Sequence, residues 1–260
     1  MLVDTNAYLG HFAFRQLRHN TAEGLVRLMD AKRIDRAIVS SAAAITYRNT
    51  QPGNEEVASQ IRPHSDRLTG FAVINPFYAG WEDDLKICHE EFGMKGLRLY
   101  PKWHNFSLTD TCCRELIAVA TERKLVVSIP LRVEDHRERS WLADVPDVPL
   151  AELVNLVKTH SQARFLFVNG ADYARTALGR AAGGLPANYW IEISRLRALQ
   201  NNDIGQLVRN LGPDRVVFGT GMPFNAPDPA LVKMEVMEAP EEVKEQIRWK
   251  NAAGMLGLKP

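Results

Sequence analysis

Short apolar runs alternate with longer amphipathic stretches along the whole chain. The runs predict eight strands, at Leu2–Tyr8, Arg36–Ser41, Thr69–Ile74, Gly96–Tyr100, Leu125–Leu131, Arg164–Val168, Tyr189–Ser194 and Arg215–Gly219. Their starts lie 25 to 39 residues apart, the length of one strand–helix unit. Runs such as RAIVS, LVVSI, RFLFV and RVVF are nearly continuous in apolar residues. Strands of that kind are covered on both faces, as in parallel sheets. The stretches between them carry helix signals. Thr21 precedes a helix with Glu23 in its first turn, and Asn54 precedes EEVASQIR. Ser107 and Asp110 bracket the start of SLTDTCCRELIAVATERK, and Pro149–Leu150 opens a helix through Val157. Gly93 fits a stop after WEDDLKICHEEF. The last stretch, EEVKEQIRWKNAAGMLGL, predicts a packing helix. Eight strand–helix units point to an α/β chain folded as one (β/α)₈ barrel over residues 1–260. A doubly wound open sheet is the alternative, but no G-x-G-x-x-G follows the first strand.

Charge narrows the partners. Lys and Arg number 32 and Asp and Glu 31, for a formal charge of +1. That balance excludes nucleic acid and anionic membrane surfaces as main partners. With 45% hydrophobic and 24% charged residues, the chain has the composition of a folded domain. No apolar run approaches the ~18 residues that span a bilayer. The start, MLVDTNAYLG, lacks the basic and apolar regions of a secretory signal. Three cysteines, Cys88, Cys112 and Cys113, cannot form a disulfide framework. The expectation is a cytoplasmic chain with reduced thiols.

In barrels of this kind function sits at the C-terminal ends of the strands. Those ends carry Asn6, Tyr8, Arg98, Tyr100, Pro130, Arg132, Asn169, Glu192, Ser194, Arg195, Thr220 and Gly221. Alternation puts Asn6 with Tyr8, and Arg98 with Tyr100, on one face. None of these is histidine. His19, His64, His89 and His160 fall on helices or their approaches and read as surface groups. His11, His104 and His136 lie just beyond strands 1, 4 and 5, in loops that cover the mouth, as does Trp103.

Five segments in order resemble the amidohydrolase superfamily, in its amidohydrolase-related branch of metal-dependent TIM-barrel hydrolases and decarboxylases. They are VDTNAYLG, GFAVINP, FGMKGLRLYPKWHNFSL, DRVVFGTGMPF and NAAGMLGL. The resemblance implies a TIM barrel whose divalent metal is held by two first-strand histidines, histidines after strands 5 and 6, and a strand-8 aspartate. Here those positions read Asn6 and Tyr8, Pro130, Asn169 (or Val168, one residue earlier) and Gly221. Zinc wants imidazole, thiolate or carboxylate donors, and the missing aspartate is also the family's proton acceptor for the attacking water. The usual metal hydrolysis is therefore expected to be absent, with no metal and no other cofactor.

Three readings follow. The first is a metal-free hydrolase for a small anionic substrate such as a carboxylate or lactone. Tyr8 and Tyr100 then donate protons and Glu192 or Asp135 acts as base. Arg98, Arg132 and Arg195 clamp the anion, and Asn6, Trp103, His104, Asn169 and Thr220 contact the ligand. For each arginine the structural alternative is a buried ion pair. The second reading is a catalytically inactive, ligand-binding or regulatory barrel. The third relocates the metal to His11, His104 and His136, without the fixed spacing of a ligand pair. Analogy with the family adds a homodimer.

Overall fold

The computed structural model describes residues 1–180, 184–198 and 201–257. Eight parallel strands stand in chain order: β1 (Val3–Leu9), β2 (Arg36–Ser41), β3 (Leu68–Val73), β4 (Gly96–Arg98), β5 (Val126–Pro130), β6 (Arg164–Val168), β7 (Tyr189–Glu192) and β8 (Val216–Val217). Backbone bonds from Thr5 to Phe218, from Tyr8 to Met222 and from Gly221 to Asn6 bring β1 to the β8 end. The result is a nearly closed (β/α)₈ barrel. The connecting helices are α1 (Ala22–Lys32), α2 (Gln51–Ile61), α3 (Trp81–Glu90), α4 (Thr111–Glu122), α5 (Leu150–Thr159), α6 (Ala177–Arg180), α7 (Asp203–Leu211) and α8 (Asp228–Val236). Among the described residues no helix is long and apolar enough to cross a membrane.

The core has two parts, as a two-layer barrel requires. One lies between sheet and helices, with Leu25, Met29, Leu85, Leu116, Leu153 and Leu207 fully buried. The other fills the lower barrel with Ile38, Phe71, Val126, Leu166 and Val217, closed by Met255 of the C-terminal helix. Side chains, not a ligand, hold the barrel open at this level. The three cysteines are free.

Several elements depart from the sequence expectations. Strands β4, β7 and β8 stop early, at Arg98, Glu192 and Val217. The reason is visible in β7 and β8. The amide of Ser194 donates to Glu192 Oε1, and that of Phe218 donates to the Ile247 carbonyl at 3.0 Å. A side-chain carboxylate in one case and a carbonyl of the C-terminal stretch in the other take the bonds that a strand ladder would otherwise use. Asn54 is no cap. Helix α2 starts at Gln51, and Asn54 is buried inside it, bonding both backbone groups of Val73 at 2.7 and 2.9 Å. Thr21 does cap α1 through Gly24 N at 3.2 Å. Asp110 stands at the start of α4, but its side chain accepts from Ser107 N at 2.7 Å. The end of the C-terminal stretch, Leu258, lies outside the described residues.

Candidate functional site

The barrel interior changes character above its apolar floor. Asp4, Asn6, Ser40, Arg98, Ser128, Asn169 and Glu192 are all buried there, at or below 1% exposure. All but Ser128, whose hydroxyl has no partner, join one bonded layer. Asn6 Nδ2 donates to Asn169 Oδ1 at 2.8 Å and to Glu192 Oε2 at 3.2 Å. Asn169 N and Ser194 Oγ also donate to Glu192 Oε2, at 3.1 and 2.8 Å. With Ser194 N, the Glu192 carboxylate thus collects donors from three strand ends. Asn169 sits at φ 57°, a conformation asparagine tolerates better than most residues. From there its Nδ2 reaches Tyr8 Oη at 3.2 Å.

Arg98 contributes the positive charge of this layer. Its Nη1 approaches Ser40 Oγ at 3.1 Å and Asn6 Oδ1 at 3.4 Å, its Nη2 the Thr5 carbonyl at 3.3 Å. The guanidinium lies over the Tyr8 ring at 4.9 Å. It makes no direct carboxylate contact among the described residues; its partners are neutral oxygens and the Tyr8 ring. Burial pushes the Glu192 carboxyl up and the Asp4 carboxyl up to about 7, with nearby Glu192 adding to the Asp4 shift. The phenols of Tyr8 and Tyr100 are also driven up, first by burial. Desolvation penalises every charged form here.

The residues at the family's ligand positions do not fit a divalent cation. Asn6 Oδ1 faces the Arg98 guanidinium. Pro130 has no side-chain donor. A Cβ on Gly221 would stand 2.3 Å from Asn225 Nδ2 and 3.3 Å from Asn169 Oδ1, and the glycine has φ 77°. Any side chain there must displace the Asn225 amide and adopt a backbone conformation that favours glycine. His11, His104 and His136 are not brought together. His104 bonds the Ala44 carbonyl at 3.0 Å and burial pushes its pKa down. His136 approaches Asp147 at 3.4 Å, and His11 approaches Asn20 at 3.5 Å. Among the described residues no three His, Cys, Asp or Glu side chains gather as a metal site.

Above the layer the mouth is plugged. Tyr8, Ala42, Val73, Tyr100, Val133 and Phe224 form one apolar cluster with Phe12, Phe14 and Trp103. These residues come from or follow β1, β2, β3, β4, β5 and β8, and they meet only across the mouth. The rings pack edge-on: Phe224 is 4.9 Å from both Tyr8 and Phe12, and Phe12 is 5.9 Å from Trp103. Edge-to-face packing of this kind favours a fixed arrangement.

Open space survives beside the plug. A cavity of about 660 Å³ is lined by Arg15, Arg132, Arg195, Ser194, Thr220 and Asn225, among others. Four arginines line it against two carboxylates, Asp135 and Glu138. The loop between β5 and α5 supplies partners for three of the arginines. Arg132 pairs with Asp147, Arg195 with Asp135 at 3.3 Å, and Arg15 with Glu134 at 3.1 Å and Glu138 at 3.6 Å. Arg137 and Arg195 hold Asp135 well below the usual carboxylate range. Each clamp arginine keeps an unused donor, since the buried Nε of Arg132 and of Arg195 bonds nothing.

The sequence-derived candidates therefore divide. Arg132, Arg195 and Thr220 line the cavity. Asn6, Tyr8, Arg98, Asn169 and Glu192 form the layer beneath it. Tyr100 and one side of Trp103 line a narrow slot under the β5–α5 loop. His104 and Trp103 also line a separate groove of about 470 Å³ with Tyr47, Arg48 and Phe77. Asp4 and the plug residues Phe12, Phe14 and Phe224 escaped the sequence reading. An acid inside an apolar strand, and phenylalanines flanking the first and last strands, were the available signals.

The amidohydrolase family model matches residues 10–258. No curated protein sequence matches the chain. Among solved structures, 2,6-dihydroxybenzoate decarboxylase from Rhizobium superposes with TM-score 0.75 at 16% identity, covering 99% of this chain and 98% of that one. The 5-carboxyvanillate decarboxylase from Sphingomonas paucimobilis gives 0.73 at 13%, covering 99% of each. A dihydroxybenzoic acid decarboxylase from Polaromonas, solved with bound manganese and the inhibitor 2-nitroresorcinol, gives 0.69 at 16%, covering 99% and 97%.

Proposed function

The chain belongs to the amidohydrolase family, and we propose that it binds a small carboxylate in the arginine-lined cavity beside the plug, without the divalent metal. At one end of that cavity Arg132, Arg137 and Arg195 share two carboxylates, Asp135 and Asp147, and that local excess of positive charge carries the reading. Neighbours that act on aromatic acids are consistent with an anionic ligand. The carboxylate meets Arg132 and Arg195, whose side chains keep 18% and 13% of their surface exposed. Full engagement then exchanges the ligand for Asp147 and Asp135 on the same guanidiniums. Below, Glu192 and Asn169 keep Ser194 in place and Asp4 keeps Thr220 in place. Tyr8 and Tyr100 stay protonated and buried, so they shape the floor and do not exchange protons with the cavity.

Turnover of an activated ester or lactone is the second reading, and one contact favours it. Ser194 lines the cavity and donates to Glu192 at 2.8 Å. In that case Glu192 takes the proton released as Ser194 Oγ, or a water beside it, attacks the carbonyl carbon; the acyl C–O bond then breaks, the leaving alkoxide takes that proton back, and water hydrolyses any acyl-serine formed. Three further donors already occupy this carboxylate and weaken it as a base, so binding ranks ahead.

Calorimetric titration of chelator-treated protein with small carboxylates tests the proposal. Saturable binding that weakens about tenfold in Arg195→Gln is expected. Absence of binding, or binding indifferent to Arg195→Gln and Arg132→Gln alike, overturns it. Screening the same panel with lactones for turnover, in wild type and Ser194→Ala, decides the second reading.

A further inference from the structure

A second groove, of about 380 Å³, opens on the other side of the β8–α8 loop. It shares Arg15, Phe224, Asn225 and Ala226 with the carboxylate cavity, so the two are neighbours across one wall. Its body is apolar, with Leu17, Leu28, Pro223 and Pro227, and its edge carries Arg18, His19 and Lys32. The lining carboxylate, Asp228, is held by Lys32 at 2.6 Å. Arg18 is exposed, and among the described residues no carboxylate pairs with it.

The charge pattern along the two spaces is positive, neutral, positive. One end holds Arg132, Arg137 and Arg195 against two carboxylates, Asp135 and Asp147, and so keeps one positive charge in excess; Arg18 marks the other end. Arg15 lies between them, but Glu134 and Glu138 neutralise it and the Phe224 carbonyl accepts from its Nη2 at 2.9 Å. The shared wall is otherwise Phe224 and Ala226. An anionic group placed there would lose hydration without gaining a free cation. We propose that the preferred ligand is an elongated dianion, with two anionic ends joined by an uncharged apolar spacer, the second end resting on Arg18. This rests on the carboxylate reading of the first cavity and names the class of molecule it takes.

The test is a titration of the full chain with straight-chain α,ω-dicarboxylates from malonate to sebacate, each beside the monocarboxylate of equal length. Affinity should rise about fivefold to tenfold at the length where the second carboxylate reaches Arg18. Arg18→Gln should abolish that rise and leave monocarboxylate binding unchanged. Ala226→Glu, which charges the neutral wall, should weaken the long dianions selectively. Dianions that bind no better than monoanions at every length overturn the inference while the first cavity stands, as does a rise that survives Arg18→Gln. If no carboxylate of either kind binds, the first cavity's reading fails and this one with it.

Discussion

The layer inside the barrel and the rim above it are both polar, yet they are built on opposite terms. In the layer, Glu192 collects donors from Asn6, Asn169 and Ser194 with no water in reach. On the rim, arginines pair with carboxylates of a loop, and those pairs remain partly exposed. The Arg195 and Asp135 side chains keep 13% and 20% of their surface. A buried, densely bonded network is costly to alter because every orphaned group pays its desolvation in full. A rim pair is screened and can trade partners. The layer is therefore read as structure and the rim as the place where ligands exchange.

Breaking the layer should produce the largest effect. Glu192→Ala orphans four donors and should cost about 3–5 kcal/mol in urea unfolding. A cost below about 1 kcal/mol would erase the contrast between layer and rim. Asp4 sharpens the contrast through pH. Its folded-state pKa, about 7, stands above its ordinary 3.8. The native chain thus holds a proton that the unfolded chain releases. Its contribution is full below about pH 4 and is lost as pH rises through about 7. The expected loss is on the order of 2–4 kcal/mol. Asp4→Asn keeps the acceptor for Asn6 and Thr220 amides and should flatten this decline in denaturation curves measured between pH 4 and 8.

Gly221→Asp asks whether one acid can rebuild the family's metal position. Its left-handed backbone and the Asn225 amide oppose any side chain there. Destabilisation of about 2 kcal/mol is expected, with no zinc or manganese retained after desalting. The smallest effect belongs to the rim. Asp147→Asn removes the internal partner of Arg132 and should tighten carboxylate binding about threefold. Weaker binding in that variant would show that Asp147 orients Arg132 for the ligand.

The barrel was legible because each strand is an apolar run and each intervening stretch is amphipathic, so period and spacing alone imply the fold. The strand ends were less legible. The Phe218 amide leaves the ladder for the Ile247 carbonyl, and the Thr220 amide donates to Asp4, 216 residues away, partners that no local pattern encodes. Arg132 and Arg195 were found by their places after strands 5 and 7. Their pairing with Asp147 and Asp135 depends on how the β5–α5 loop folds back. The plug was illegible for the same reason, since Phe12 and Phe224 meet only once β1 and β8 are adjacent.

The central claim is that the mouth takes a small anion with no help from a divalent metal. It is tested most directly by titrating one carboxylate ligand into two samples of the protein, one stripped by chelator and one preloaded with manganese or zinc, with metal content measured in both. Equal dissociation constants, with well under one equivalent of metal per chain in either sample, are the predicted result. One tightly held equivalent of metal, or binding that appears only in the loaded sample, would contradict it.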